Sequence, residues 1–321
     1  MLPEGADAVV MLEYVEDYGD GTIGIMKPVS PGDNVAFRYD DCAPNAVLIQ
    51  RGTELHAHHI GTLASLGVAQ VPVSRRPVVS IISSGDEIIP YDQEPEQAQM
   101  RDVNAPLLAA LVEACGGTVQ QLGIVGDDLD QLERTVRQAL DTSDMVLVSG
   151  GTSASAHDGT PTILGRVGEL LFHGIAVKPG KPTLCARAGN IPLFGLPGHP
   201  AAAYYVFCEL VAPLLRRMTG CVQGQTENAP GAFSGECFEA ILAEAIPSNH
   251  GRTEFVPVKL ADEQTEAGQA AGQAAGQAAV QPIRSKSGLI AQLLGCVGYI
   301  TVPRESEGLH RGACVRVKTL L

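Results

Sequence analysis

A chain of 321 residues is long enough for two domains or more, and 45% hydrophobic residues without a long apolar run read as a globular protein with no membrane span. A formal net charge of −14 excludes a general binder of nucleic acid or of anionic membranes. The eight cysteines are scattered, form no C-x-x-C pair and mostly have apolar neighbours, so they read as reduced, buried thiols and not as disulfides or a zinc site.

The chain opens on Met1-Leu-Pro-Glu-Gly5, which has neither the basic stretch nor the apolar core of a signal peptide and predicts a cytoplasmic location. Residues 1–50 read as short strands and turns of a partial β-barrel. Ala8–Leu12 is apolar, Thr22–Met26 alternates, and Gly19-Asp-Gly21 and Ser30–Asp33 are turns. The abrupt start suggests a shortened barrel. Residues 51–75 form a helical linker in which Leu55, His59, Leu63 and Leu66 share a face and Gly67 ends the run. His56, His58 and His59 cluster there. Helical spacing turns His56 and His58 in different directions, so they read as helix surface.

Residues 76–220 alternate between strand and helix. Val78–Ile82 is a β-branched run suited to a strand buried on both faces. A helix opens near Asp102-Val-Asn104, with Asn104 as N-cap and Gly116-Gly117 as its stop. Thr118–Val125 is a strand, a helix runs from Gly126-Asp-Asp128 to about Leu140, and Asp144–Ser149 is the next strand. This alternation predicts an α/β domain with a doubly wound, mostly parallel sheet. Strands at Glu169–Val177 and Pro182–Ala186 follow, then a helix from Pro200 toward Met218. Residues 221–321 read as a small C-terminal β domain, with strands at Glu254–Leu260, Gly298–Val302 and Ala313–Leu320. The repeat Ala267–Ala279 has no apolar periodicity and predicts a flexible insertion near 262–281.

The chemistry gathers at strand ends, where ligands of such sheets bind. Ser149-Gly-Gly-Thr-Ser-Ala-Ser-Ala-His-Asp158 follows a strong strand and precedes a helix, so Gly150, Gly151 and Ser153 offer N–H and hydroxyl donors to an anion. Val177-Lys-Pro-Gly-Lys-Pro182 sets Lys178 and Lys181 around a rigid turn, and Phe194-Gly-Leu-Pro-Gly-His-Pro200 supplies a third turn. Together they predict one composite site for a phosphorylated ligand. Ser84, beside Gly85, offers another donor. Asp86, Glu87, Asp127 and Asp158 follow strands and provide the oxygen ligands that Mg²⁺ prefers, although Asp127 reads equally as a helix cap. His199 has no nucleophile within reach of its motif. No Walker A, G-x-S-x-G or G-x-G-x-x-G motif occurs, which argues against a P-loop ATPase, a serine hydrolase and a dinucleotide oxidoreductase.

Ser83-Ser-Gly-Asp-Glu-Ile88, Ser149-Gly-Gly-Thr-Ser with Asp158, Val177–Pro182 and Gly195-Leu-Pro-Gly-His-Pro200, in this order, resemble the MoeA/gephyrin E-domain family of molybdopterin molybdenumtransferases. Pro3–Val10 is similar to the family's barrel segment and Ser285–Leu289 to its C-terminal β domain. The resemblance implies a molybdopterin-binding fold and insertion of molybdate into adenylylated molybdopterin with release of AMP, in a Mg²⁺-dependent reaction. It implies a homodimer whose sites are completed by the partner, and a molybdopterin adenylyltransferase as a further partner. By motif position, Asp86, Glu87 and Asp158 would hold the metal, and Asp127, Asp158, Lys178 and Lys181 would serve catalysis. Ser84, Gly85, Asn104, Gly150, Gly151, Ser153, Pro197 and Pro200 would line the pterin site. Three departures stand out. The family's N-terminal stretch before Met1 is absent. Asn34-Val35-Ala36 lacks an arginine for which Arg38 is the nearest substitute, and Ser155 and His199 replace a usual glycine and a common asparagine. Two other readings are a pterin-binding scaffold without turnover and an adenylyltransferase, a class that usually lacks the flanking β domains.

Overall fold

The computed structural model describes residues 2–152, 159–220, 237–261, 278–284 and 287–321. It divides into two compact units, residues 1–51 and 52–321.

In the first unit the described strands form one hairpin, β1 (Val15–Asp17) and β2 (Ile23–Ile25), antiparallel around the Gly19–Gly21 turn. The apolar run Ala8–Leu12 is not a strand. It leads into a single 3₁₀ turn at Leu12–Tyr14. Asn34, held at φ 57°, donates its amide to the Val9 carbonyl at 2.8 Å, and Val9 N–H donates to Asp33 at 3.0 Å. The guanidinium of Arg38 lies over the Tyr39 ring, 5.0 Å from its centroid.

The second unit opens with α1 (Ala57–Ser65). His56, His58 and His59 do not diverge. The rings of His58 and His59 are 3.9 Å apart, because His59 folds back to accept the His56 N–H at 3.0 Å and closes the helix start. Next come β3 (Val78–Ser84), the short pair β4 (Ile88–Ile89) and β5 (Met100–Arg101), α2 (Asn104–Ala114), β6 (Thr118–Val125), α3 (Leu129–Thr142), β7 (Met145–Ser149) and α4 (Gly159–Val167). After them run β8 (Glu169–His173), β9 (Val177–Lys178), β10 (Leu184–Ala188), β11 (Ile191–Leu196), α5 (Pro200–Val206) and α6 (Ala212–Met218). A single π turn, Phe207–Val211, joins the last two helices into one run.

Six strands make the main sheet, in the order β6-β3-β7-β11-β10-β8. β6, β3, β7 and β11 are parallel, while β10 is antiparallel to both its neighbours. The alternation of β7 shows why its sequence is apolar throughout. Met145 and Leu147 join the core beneath α2, α5 and α6, while Val146 and Val148 join the core beneath α3 and α4. Both helical layers are therefore sealed by one strand, and each fully buried aliphatic side chain contributes about 1.5–3 kcal/mol.

Asp144, one residue before β7, ties this strand to β3. Its carboxylate accepts from the Arg75 guanidinium and, at 2.8 Å, from Val78 N–H. The hydrogen bond from Arg75 holds the Asp144 carboxyl below the usual range, against the opposing effect of burial. A depressed folded pKa means the contribution is present above the unfolded value of about 3.9 and disappears as pH falls through the lower folded value. Arg75 is 73% exposed, so solvent screens the pair and Asp144→Asn is expected to cost about 1 kcal/mol at neutral pH. Urea unfolding should show that difference at pH 7 and its loss in strong acid; a pH-independent gap would assign the effect to packing.

The remaining strands are β12 (Cys237–Leu242), β13 (Ile246–Pro247), β14 (Thr253–Leu260), β15 (Ala278–Pro282), β16 (Gly298–Val302), β17 (Gly308–Leu309) and β18 (Cys314–Thr319). Around β15-β12-β18-β16-β14 each strand pairs with the next, and β14 pairs back to β15, so five strands close a barrel. The C-terminal β domain is thus a closed barrel around Val258, Val280, Ile300, Val302 and Val317. The final residues of the expected insertion, Ala278–Gln281, are strand and not loop, because the barrel needs them to close. The rest of that insertion, residues 262–277, lies outside the described residues. β9 adds to the barrel's β14 in parallel instead of extending β8, which splits the strand expected over Glu169–Val177. Tyr205 of α5 stacks with Phe255 and meets Tyr299 edge-on, at 5.6 Å and 5.0 Å between centroids, joining barrel and sheet domain in one core.

No disulfide occurs among the described residues. Burial pushes the Cys185 thiol up to about 11 and the Cys208 thiol up to about 12, which keeps both neutral and unreactive. Cys237 and Cys314 are exposed, so the expectation of buried thiols holds for only part of the set. Among the described residues no helix is long and apolar enough to cross a membrane.

Candidate active site at the strand ends

The four parallel strands end in register. Ser84 of β3 is level with Val125 of β6, and Ser149 of β7 is level with Ser83 of β3 and Leu196 of β11. The loops starting at Gly85, Gly126, Gly150 and Pro197 therefore leave the sheet side by side. Two backbone bonds continue the ladder past the strands: Gly85 N–H to Val125 O and Gly150 N–H to Leu196 O, both 3.1 Å.

Side chains stitch these loops together. Asn104, 6% exposed in the first turn of α2, donates its amide to Ser149 Oγ at 2.7 Å, to Gly198 O at 2.9 Å and to Pro197 O at 3.4 Å. It does not cap α2 as the sequence suggested. Asp102 does so, accepting the Ala105 N–H at 3.0 Å and freeing Asn104 to reach across the strand ends. Thr160, at the start of α4, donates to Gly150 O at 3.0 Å. The Oδ1 of Asn104 and the Oγ of Ser83 are buried with no hydrogen-bond partner among the described residues. Such atoms are uncommon in folded proteins, and these two lie where the strand-end loops meet.

The carboxylates occupy the other end of the row. Asp86 Oδ1 accepts the Asp127 N–H at 2.9 Å, which locks the loop after β3 to the loop after β6. Asp86, Glu87 and Asp127 are all exposed. The cap of α3 is Asp128, which accepts from the N–H groups of Asp130 and Gln131 at 2.9 and 3.1 Å, so Asp127 is not held as the helix cap. Among the described residues no group of three or more His, Cys, Asp or Glu side chains is placed to hold a metal ion. Asp158 and Ser153, together with Ser155, lie outside the described residues.

The lysines arrive on a different element. Gly180 packs against Val206 and Ala202 of α5, so the Lys178–Lys181 turn lies along the helix that begins at Pro200. Lys178 pairs with Glu254 of the barrel at 2.8 Å. Lys181 is exposed and has no ion-pair partner among the described residues. Among the described residues neither lysine is hydrogen-bonded to the strand-end cluster, and their turn packs on α5. At the start of α5, Ser287 of the barrel domain accepts the Ala201 N–H through its carbonyl at 3.1 Å, and its hydroxyl lies 2.9 Å from His199 Nδ1. The structure thus brings Ser84, Gly85, Asp86, Asn104, Asp127, Gly150, Gly151 and Pro197 to one edge. Among the residues that had no assigned role, Ser83, Ser149 and Ser287 stand inside those motifs, while Thr160 and Glu254 lie in none.

Comparison with known proteins follows the same divisions. A model of the MoeA N-terminal region (domain I and II) matches residues 1–67, one of a probable molybdopterin binding domain matches 80–217, and one of the MoeA C-terminal region (domain IV) matches 239–320. The molybdopterin molybdenumtransferase of Bacillus subtilis (strain 168) is 30% identical over 321 residues, covering 98% of this chain and 70% of the relative. That of Haemophilus influenzae is 33% identical over 255 residues, covering 79% of this chain and 61% of the relative. Among solved structures, the molybdopterin biosynthesis moeA protein of Pyrococcus horikoshii OT3 aligns with a TM-score of 0.77 at 30% identity, over 99% of this chain and 72% of its own. The molybdenum cofactor biosynthesis protein of Pyrococcus furiosus aligns with a TM-score of 0.64 at 26% identity, over 87% and 81%. With three successive models, a relative 30% identical along 98% of this chain and the same architecture, the chain belongs to the MoeA family.

Proposed function

We propose that this chain is a transferase of molybdenum cofactor biosynthesis that inserts molybdate into adenylylated molybdopterin and releases AMP. The observation that carries this reading is the row of strand-end loops in register, tied by Asn104, with buried Ser83 Oγ and Asn104 Oδ1 lacking a hydrogen-bond partner among the described residues. The names of the relatives point the same way. A substrate with a dithiolene and a pyrophosphate, met by a tetrahedral dianion, needs amide donors and cations along one edge and carboxylates that hold a metal near the leaving group. In this reading Ser84, Gly85, Gly150, Gly151, Ser153 and Asn104 line the pterin and phosphate path, and Pro197 and Pro200 form its wall. Lys178 and Lys181 draw in the anions, and Asp127 and Asp158 act at the adenylate bond.

Mg²⁺ suits the donor set in kind. It commonly takes one or two carboxylates and completes its shell with water and substrate phosphate. Asp86 keeps one carboxylate oxygen uncommitted to the Asp127 N–H, and Glu87 is exposed beside it; with Asp158 they would hold the ion. When bound, it would offset the charge on the departing AMP. The chain's own residues hold the loops at fixed spacing and present N–H donors to the phosphates. The closed barrel matched to the C-terminal region favours this reading over an adenylyltransferase. The homodimer and the cytoplasmic location belong to the same proposal.

The test is molybdate-dependent AMP release from adenylylated molybdopterin with Mg²⁺. Pterin binding without turnover would select the scaffold reading instead. Asp158→Asn is expected to keep the circular dichroism spectrum and lower turnover by about tenfold or more. Unchanged turnover would remove Asp158 from the chemistry.

A further inference from the structure

The two lysines of the Lys178–Lys181 turn are not electrostatically equivalent. Lys178 lies in β9, whose parallel register on β14 places it directly beside Glu254. The ammonium is 2.8 Å from Glu254 Oε1, and Ser248 Oγ donates to Oε2 of the same carboxylate at 2.6 Å. Both carboxylate oxygens are thus committed, and the Glu254 side chain is 16% exposed against 47% for Lys178. The carboxylate is fixed by the barrel, while the ammonium reaches outward from it. Lys181, three residues on, is exposed and has no such partner among the described residues.

We infer that Glu254 sets the anion affinity of the site by cancelling part of the Lys178 charge, leaving Lys181 as the dominant cation. The barrel domain then contributes a negative charge directly behind an anion-binding lysine. A fixed carboxylate at this distance lowers the local positive potential felt by any incoming oxyanion. It also limits how tightly the anionic product is retained, because substrate and product anions feel the same field. The effect is on affinity and not on folding, so its removal is expected to strengthen binding. The inference rests on the proposed molybdenumtransferase reading only for the identity of the anion.

Glu254→Gln keeps a carbonyl acceptor for Lys178, turns the Ser248 hydroxyl from donor to acceptor and removes the charge. Isothermal titration of the full chain with sodium molybdate is expected to show about threefold to tenfold tighter binding for Glu254→Gln at low salt, with the gain shrinking at high ionic strength. The gain should vanish in the Lys178→Met background. Unchanged or weaker binding by a folded Glu254→Gln protein would overturn the inference. If that variant does not fold, single substitutions decide: Lys181→Met should weaken molybdate binding more than Lys178→Met, and equal losses or the reverse order would overturn it. Wild-type AMP release is measured alongside. Its absence removes the proposed reaction, whereas an active wild type with an unaltered Glu254→Gln affinity removes only the role of Glu254.

Discussion

Asn104→Leu is expected to lower turnover by about a hundredfold and to destabilise the protein at the same time. Leucine has the branched shape of asparagine and is larger, so no cavity is created. What disappears is one buried amide donating to Ser149 Oγ, Gly198 O and Pro197 O. Those acceptors belong to the ends of two neighbouring strands, and Asn104 itself starts a helix that packs on the sheet. Leaving them unpaired in a 6%-exposed setting costs about 1–3 kcal/mol each where water cannot reach, or roughly 3 kcal/mol together. In a protein of this size that lowers Tm by about 4–6 °C. The loss of activity should exceed what the unfolded fraction explains, because the loops after β7 and β11 would no longer hold one spacing. Asn104→Asp is the sharper variant: it keeps the shape and removes the donor, and should resemble Leu. Wild-type turnover in Asn104→Asp would show that the donor is not what holds the loops together.

The parts of this molecule that were legible in its sequence are those where one local rule decides the outcome. β6 begins and ends at Thr118 and Val125 as the alternation and flanking glycines indicate, and β7 follows from its apolar run. The parallel direction of β3, β6 and β7 follows from the βαβ alternation. What escaped was set by partners far away in the chain. Asn104 has the chemistry of an N-cap, and only the Asp102 carboxylate two residues earlier, bonded to Ala105, shows that the cap is taken. Asp127 and Asp128 are indistinguishable as letters; the helix start chose the second and left the first to bond Asp86. Strand β15 lies at the edge of a low-complexity repeat, and its residues are strand because β12 and β14 flank it. The π turn at Phe207–Val211 left no mark in the helical pattern. It presents Glu209 to Tyr299 Oη and Lys318 Nζ, both at 2.6 Å, an arrangement that depends on barrel residues about ninety positions or more away in sequence. The site lysines were recognised by motif, while the partner that distinguishes them, Glu254, sits in a strand with no motif of its own.

Gly150→Ala is expected to be the most damaging single methyl among the strand-end glycines. Gly150 has φ +100°, where an L side chain is strained before any contact is considered. A Cβ built there would lie 2.2 Å from the Ser84 carbonyl oxygen, 3.3 Å from its carbon and 3.7 Å from its nitrogen. All three are backbone atoms of the neighbouring strand end, so no side-chain rotation relieves the clash. Either β7 retreats from β3 or the loop after it leaves its path, and both also break the Thr160 bond to Gly150 O. Strain and displaced contacts together are expected to cost about 3–5 kcal/mol, with AMP release reduced beyond detection in whatever fraction folds. Two neighbouring glycines calibrate the result. At Gly85 a Cβ would meet the Glu87 carboxylate at 2.6 Å, the movable end of a side chain, so Gly85→Ala should carry the backbone strain of its φ of +142° with little added clash. At Gly198 the nearest atom is Gly150 Cα at 3.8 Å and φ is not positive, so Gly198→Ala should be nearly silent in urea midpoint. The ordering Gly150, then Gly85, then Gly198 tests the close approach of two strand ends directly. A Gly150→Ala protein as stable and active as Gly198→Ala would mean that the turn does not need that contact to form the site.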